Sequence, residues 1–316
     1  MELIRERPLL TDVYEQLMAF VPESSSAYVF GVSNEERSAH SEDWERQAIN
    51  VKFVRVVDER ESGIVVQAPL GETTVSLRSE SQIRALLSGL NSNALYIDIT
   101  GLAHHVWAPL LRVALMMALR TKVVYVEPGD YRFSRRPTEA EIFDLSERIS
   151  GIAPIPGFFG LSDPEDDAIC FVPLLGFEGP RLAYLLEYVQ PPRAKIVPVV
   201  GVPGFRVEYP FYTYHGNQQP LRDTNAWKNI RFARANCPFS LFYLLQDISR
   251  DYPEHLIKIA PIGTKPHALG AVLYSLAGGR RVELVYDHPI RKADRTMGSA
   301  RTLVYHVSFI PLTTAS

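Results

Sequence analysis

The residues best suited to chemistry in this chain stand together in Pro261-Ile262-Gly263-Thr264-Lys265-Pro266-His267. An apolar, β-branched run precedes them and a helical pattern follows, so they open a helix at the end of a strand. Such a helix start presents unpaired N–H groups and the positive end of the macrodipole, which suits an anion such as phosphate. Lys265 and His267 are cations or potential cations where a cation is unfavourable unless a negative partner is near, and a bound anion would supply that partner. Lysine is also scarce, contributing 7 of the 33 basic residues. The structural alternative is that Gly263 makes the turn, Thr264 caps the helix, Pro266 sits in its first turn and Lys265 points to water.

A second loop has the same outline. Aligning Gly101 with Gly263 brings Ile97 to His105 onto Ile259 to His267, so that the glycine and the last histidine coincide. Thr100, Gly101 and His105 are its candidates, with no lysine among them. Upstream, Gly31 to Arg37 faces Gly176 to Arg181, each after an opening strand. Arg37 and Arg181 are candidate phosphate contacts because guanidinium binds phosphate bidentately. Glu178 would line the same pocket, and the alternative for these charges is an ion pair that pins the loop. Asp287 and Arg291, after the strand expected at 282–286, are further ligand candidates. Four of the eight histidines, His104, His105, His267 and His288, fall on these loops. Of these, His105, His267 and His288 are the candidate acids or bases, since imidazole titrates near neutrality.

Several chemistries have no motif. The chain lacks a G-x-S-x-G elbow, a G-x-x-x-x-G-K-[ST] phosphate loop and a G-x-G-x-x-G turn. The histidines lack the H-E-x-x-H spacing of a zinc helix, so no metal and no cofactor is expected.

These loops must be positioned by alternating strands and helices, which predicts an α/β protein with mainly parallel sheets. Strands are expected over residues 27–32, 51–57, 94–100 and 122–127, then 168–175, 195–200, 256–260, 282–286 and 303–310. Helices are expected over 10–20, 79–90, 103–120, 181–189, 238–250 and 266–276, with a hairpin at 64–67 and 73–77. Residues 152–167 have neither period and mark the boundary. The reading is therefore two tandem Rossmann-like units, 1–155 and 156–316, related by internal duplication. The spacing supports this: 27 residues separate Gly101 from Pro128, and 26 separate Gly263 from Pro289. Residues 209–227, carrying five aromatics, are an insertion in the second unit.

Composition bounds the rest. A chain of 316 residues, 46% of them hydrophobic, has the length and apolar content for two folded domains. Its net charge of −3 gives no strong signal for duplex nucleic acid, so any anion site is local. Cys170 and Cys237 have neither disulfide nor zinc spacing and fit a reducing cytoplasm. No leader and no spanning segment is read, so a cytoplasmic protein with no membrane partner is expected.

Gly263-Thr264-Lys265-Pro266, opening a helix after a strand, resembles the G-G-T-K-x-M signature of the CRISPR-associated Rossmann-fold (CARF) sensor domains. The related SAVED domains of bacterial antiviral signalling contain two such units in one polypeptide. Ile262 stands where the family has its first glycine, and His267 stands at the methionine position. The resemblance implies a pocket for a cyclic oligonucleotide at the junction of two units, with Gly263, Thr264 and Lys265 on ligand phosphate and Gly176 and Glu178 in the first-strand loop. It also implies an effector on a separate chain.

Three functions follow as expectations. The leading one is a nucleotide-sensing or regulatory subunit of a bacterial antiviral defence system, binding a phosphate-bearing ligand. The second is an enzyme that cleaves or transfers on a nucleotide, using His105, His267 or His288. The third is an interaction subunit that recruits an effector or recognises a phage component through the aromatic insertion.

Overall fold

The computed structural model describes residues 10–60, 62–69, 71–134, 142–158, 168–278 and 281–310. The chain divides into two compact units. Of the described residues, one comprises 10–131 together with 296–310, and the other covers 132–295.

In the first unit the described elements are β1 (Thr11–Tyr14), β2 (Ala27–Gly31), α1 (His40–Gln47), β3 (Lys52–Arg60), β4 (Gly63–Ala68), β5 (Gly71–Ser76), α2 (Glu80–Gly89), β6 (Leu95–Asp98), α3 (His104–Met116) and β7 (Thr121–Tyr131). A return strand, Thr296–His306, completes the sheet. The strand order is β1, return strand, β7, β6, β2, β3, β4, β5. Four neighbours, β3, β2, β6 and β7, run parallel, and antiparallel strands extend the sheet on both sides. Every residue of β2 and β6 is buried, as parallel strands covered on both faces require. Ten of the thirteen residues of α3 are buried too, which explains a helix apolar nearly all round. The expected hairpin is present, with Ala68 opposite Gly71.

The second unit contains β8 (Ser146–Ile149), β9 (Ala153–Pro154), β10 (Ile169–Leu174), α4 (Gly179–Val189), β11 (Val199–Gly201), α5 (Tyr209–Gly216), α6 (Gln218–Thr224), β12 (Arg231–Ala233), α7 (Pro238–Asp251), β13 (Leu256–Pro261), α8 (Lys265–Gly278), β14 (Val282–Tyr286) and β15 (Pro289–Arg291). Its main sheet runs β12, β11, β10, β13, β14, β9, parallel except for β9. β8 and β15 form a separate antiparallel pair. Phe171, Leu182, Leu185, Val200, Leu221 and Ile262 belong to one core cluster.

The chain is thus α/β with mixed, mostly parallel sheets, consistent with Rossmann-like folds. Two expectations are corrected. Residues 10–20 form β1 and a short 3-10 turn, Leu17–Ala19, rather than a helix, because Thr11–Tyr14 finds a tertiary partner in the return strand. The division at residue 155 also fails: the last strand inserts between β1 and β7, with Val304 opposite Val124, so the first unit closes with the chain's C-terminal part. Of the expected boundary segment, residues 159–167 lie outside the described residues. Among the described residues no helix is long and apolar enough to cross a membrane.

Both sheets wind outward from a switch point. In the first, β2 leads to β3 on one side while β6 leads to β7 on the other. In the second, β10 leads to β11 and β12, whereas β13 leads to β14. Ligands of open α/β sheets bind beyond the strand carboxyl ends at such points.

Candidate functional site

In the second unit the switch point is flanked by the loop after β10 and the loop after β13. These loops pack backbone to backbone: a Cβ on Gly176 would lie 2.6 Å from the Ile262 carbonyl oxygen, and one on Gly263 would lie 2.6 Å from that of Leu175. Both glycines are therefore required by close approach. Immediately beyond, Thr264 donates its hydroxyl to the Ala235 carbonyl at 2.7 Å and accepts from the His267 N–H at 3.3 Å, so it caps α8. Lys265, the first residue of that helix, is 5% exposed and does not point to water.

His267 is fully buried. Its Nε2 meets the Arg234 carbonyl at 3.0 Å, and its Cε1 lies 3.6 Å from where a Gly201 side chain would begin. With Nε2 as the N–H, Nδ1 is a bare acceptor, and it is buried without a hydrogen-bond partner. Burial pushes the His267 pKa down to about 4 against the contacts with the Arg234 and Ala233 carbonyls, so the ring is neutral near pH 7. The linkage has a definite sign. Between about pH 6.5 and 4 the unfolded chain binds a proton that the folded chain refuses, so stability falls as pH falls. The loss should reach about 3 kcal/mol across that window, from the depression at about 1.4 kcal/mol per pH unit. Urea titrations of wild type and His267→Leu at stepped pH measure it: the variant should lose this part of the acid sensitivity, and parallel pH profiles would refute it.

Around this loop the charged candidates bond to one another. Arg181 donates Nε and Nη2 to the two Asp287 oxygens at 2.7 and 2.6 Å, and Nη1 to the Ile262 carbonyl at 3.1 Å. The clamp joins α4, the end of β14 and the loop after β13. Glu178 accepts from the Leu145 and Ser146 N–H groups at 3.0 and 2.8 Å and from the Ser146 hydroxyl at 2.9 Å, which fixes the start of β8. Arg291 hydrogen-bonds the buried Tyr286 hydroxyl, and His288 meets the Ala153 carbonyl at 3.0 Å. A cavity of about 280 Å³ opens beside these groups, lined by Phe143, Ser146, Arg148, Phe177, Glu178 and Arg181 among others. The insertion 209–227 folds as α5, α6 and a short turn. Its Tyr209 is buried, and Tyr212 packs on Phe143 and Phe177, while Phe211 remains 74% exposed.

The first unit repeats the pattern with different chemistry. A Cβ on Gly101 would fall 1.7 Å from the Gly31 carbonyl oxygen. Arg37 is buried, donating Nε to Glu35 at 2.7 Å and Nη1 to the Val126 carbonyl at 2.6 Å. The Thr100 hydroxyl accepts from the Val126 N–H at 2.9 Å. Asp98 accepts from the Tyr28 hydroxyl at 2.9 Å, the Ser41 hydroxyl at 3.0 Å and the Thr100 N–H at 2.8 Å. Sequence reasoning passed over Asp98; its signal was a carboxylate ending the buried run Leu-Tyr-Ile-Asp. Burial, reinforced by Asp98, pushes the Tyr28 hydroxyl well above its usual range. His104 is buried and His105 half-buried at the opening of α3.

The sites expected from sequence thus separate into two groups. Gly176, Glu178, Arg181, Gly263, Thr264, Lys265, His267 and Asp287 stand around one switch point, and Gly31, Arg37, Thr100, Gly101 and His105 around the other. Of the three candidate catalytic histidines, His267 and His288 hold different carbonyls within the second unit, and His105 belongs to the first unit. Among the described residues no group of three or more His, Cys, Asp or Glu side chains is arranged to hold a metal ion. No protein-family model matches the chain, and no curated protein is significantly similar to it.

Proposed function

We propose that this chain is a nucleotide-sensing or regulatory subunit of the kind used in bacterial antiviral defence, taking a phosphate-bearing ligand at the carboxyl end of the second sheet. The observation that carries the reading is Lys265, a buried cation opening a fourteen-residue helix behind two mutually packed glycine loops at a switch point. The resemblance of Gly263-Thr264-Lys265-Pro266 to the CARF signature supports the same ligand class. The matched positions of Gly31 with Gly176, and of Gly101 with Gly263, support a tandem pair of CARF-like units. In this reading Lys265 and the N–H groups near it meet phosphate, while Arg181, Asp287 and Glu178 hold the walls rather than the ligand. A nucleotide-cleaving activity draws less support, because His267 is sealed from solvent and neutral near pH 7.

Calorimetric titration with cyclic di-, tri- and tetranucleotides tests the proposal. Binding of at least one is expected, weakened by about tenfold or more in Lys265→Met, the scale of a lost charge-assisted hydrogen bond. Thermal melting of the variant verifies that it is folded. No heat with any of the three, or binding that the variant leaves unchanged, would overturn the reading.

A further inference from the structure

Among the described strands β12 is an outer member of the second sheet, paired with β11 over three residues. The segment that carries it is one-sided in sequence: residues 224–246 hold the cations Lys228, Arg231 and Arg234 and no carboxylate, although Asp251 at the end of α7 reaches Arg231. All three cations are exposed, and two aromatic rings stand exposed among them, Trp227 at 54% and Phe232 at 55%. Lys228 lies over the Trp227 ring at 5.5 Å from its centroid. Arg231 meets Asp251 at 3.5 Å, with both side chains about half exposed. Trp227 stands in the 3-10 turn that leads into β12 and Phe232 on β12 itself, and each ring has a cation beside it in sequence.

We infer that this edge is a docking surface for single-stranded nucleic acid. A single strand carries flat bases and phosphates together, and residues 227–234 carry two exposed rings and three exposed cations, so one strand meets both stacking and charge neutralisation here. A duplex hides its base faces and would leave both rings without stacking partners. An acidic peptide added as an extra strand would rely on main-chain hydrogen bonds, and three paired residues offer too few. The surface lies apart in chemistry from the Lys265 loop: it needs exposed rings, whereas that loop offers a buried cation.

Trp227 makes the test direct, since the other two tryptophans, Trp44 and Trp107, are at most 2% exposed. The full chain is titrated with fluorescein-labelled dT12 at low salt, reading anisotropy and tryptophan quenching. Binding with quenching is expected, and its affinity should fall with salt at a log–log slope of about −2, set by three cations at about 0.7 each on a single strand. Trp227→Ala/Phe232→Ala should weaken binding by about tenfold and keep the slope. Lys228→Gln/Arg231→Gln/Arg234→Gln should weaken it and flatten the slope. Lys265→Met should leave it unchanged, which keeps this test independent of the ligand site. The inference is overturned by absence of binding at low salt, by equal affinity for a duplex of the same length, by an oligoglutamate that competes equally, or by wild-type affinity in either multiple variant.

Discussion

Asp287→Ala should destabilise the second unit by about 3–5 kcal/mol, the cost of removing one partner from a buried ion pair. Asp287 is wholly buried and Arg181 is 12% exposed, so the guanidinium left behind would lose both short contacts with little water to replace them. Nη1 would keep its bond to the Ile262 carbonyl and its longer ion pair with Glu178 at 3.8 Å, which together compensate the charge only in part. Replacing both partners by apolar residues, Arg181→Met with Asp287→Leu, should recover most of the loss, because no uncompensated charge then stays in the interior. Native-state hydrogen exchange resolves the unit concerned: amides of β10 and β13 should lose protection while those of β2 and β6 keep theirs. A cost below about 1 kcal/mol for the single variant would mean that water reaches the site, contrary to this geometry.

Gly101→Ala should cost about 3 kcal/mol or more, at or above the usual range for overpacking a core. The added methyl would stand 1.7 Å from the Gly31 oxygen and 2.7 Å from its carbonyl carbon, both backbone atoms that no rotamer change can move. The loops after β2 and β6 would have to part, straining the Asp98–Thr100 hydrogen bond within the loop and the Val126–Thr100 bond that ties it to β7. Gly89→Ala is the control. Nothing lies within 4 Å of a Cβ there, and the residue ends a helix, so the substitution should stabilise by up to about 1 kcal/mol. Denaturation midpoints of the two variants should move in opposite directions, and equal small shifts would show that the Gly31–Gly101 approach is not tight.

The alternation of buried runs with helical patterns made the α/β class legible from residues alone, because a strand covered on both faces must be apolar along its whole length, as β2 and β6 are. The strand-end glycines were legible too, since a turn from strand to helix requires few side-chain atoms. The helix starts expected at residues 266 and 103 fall within one residue of those found, Lys265 and His104, and followed from the same punctuation. The pairing of Thr11–Tyr14 was not legible, because a four-residue segment has no preference strong enough to outweigh a distant partner. The sheet that receives Thr296–His306 was equally hidden: a strand's pattern states that it will be buried and leaves open against which neighbours.

The charged residues divide in the same way. Sequence supplied Arg37, Arg181, Glu178 and Asp287 as groups able to bind phosphate or one another, and both outcomes use the same chemistry. Only the tertiary structure decided between them, by bringing Asp287 and Ile262 to Arg181 and Val126 and Glu35 to Arg37, where burial makes pairing compulsory. His267 shows the sharpest division. Its sequence position allowed a titrating group at a helix start, and its enclosure against Arg234 and Gly201 keeps it neutral at pH 7, since desolvation penalises the charged form. The sequence by itself determined which groups stand at the strand ends; the fold determined which of them are engaged with one another and which are buried, because dielectric surroundings and partners exist only once distant segments meet.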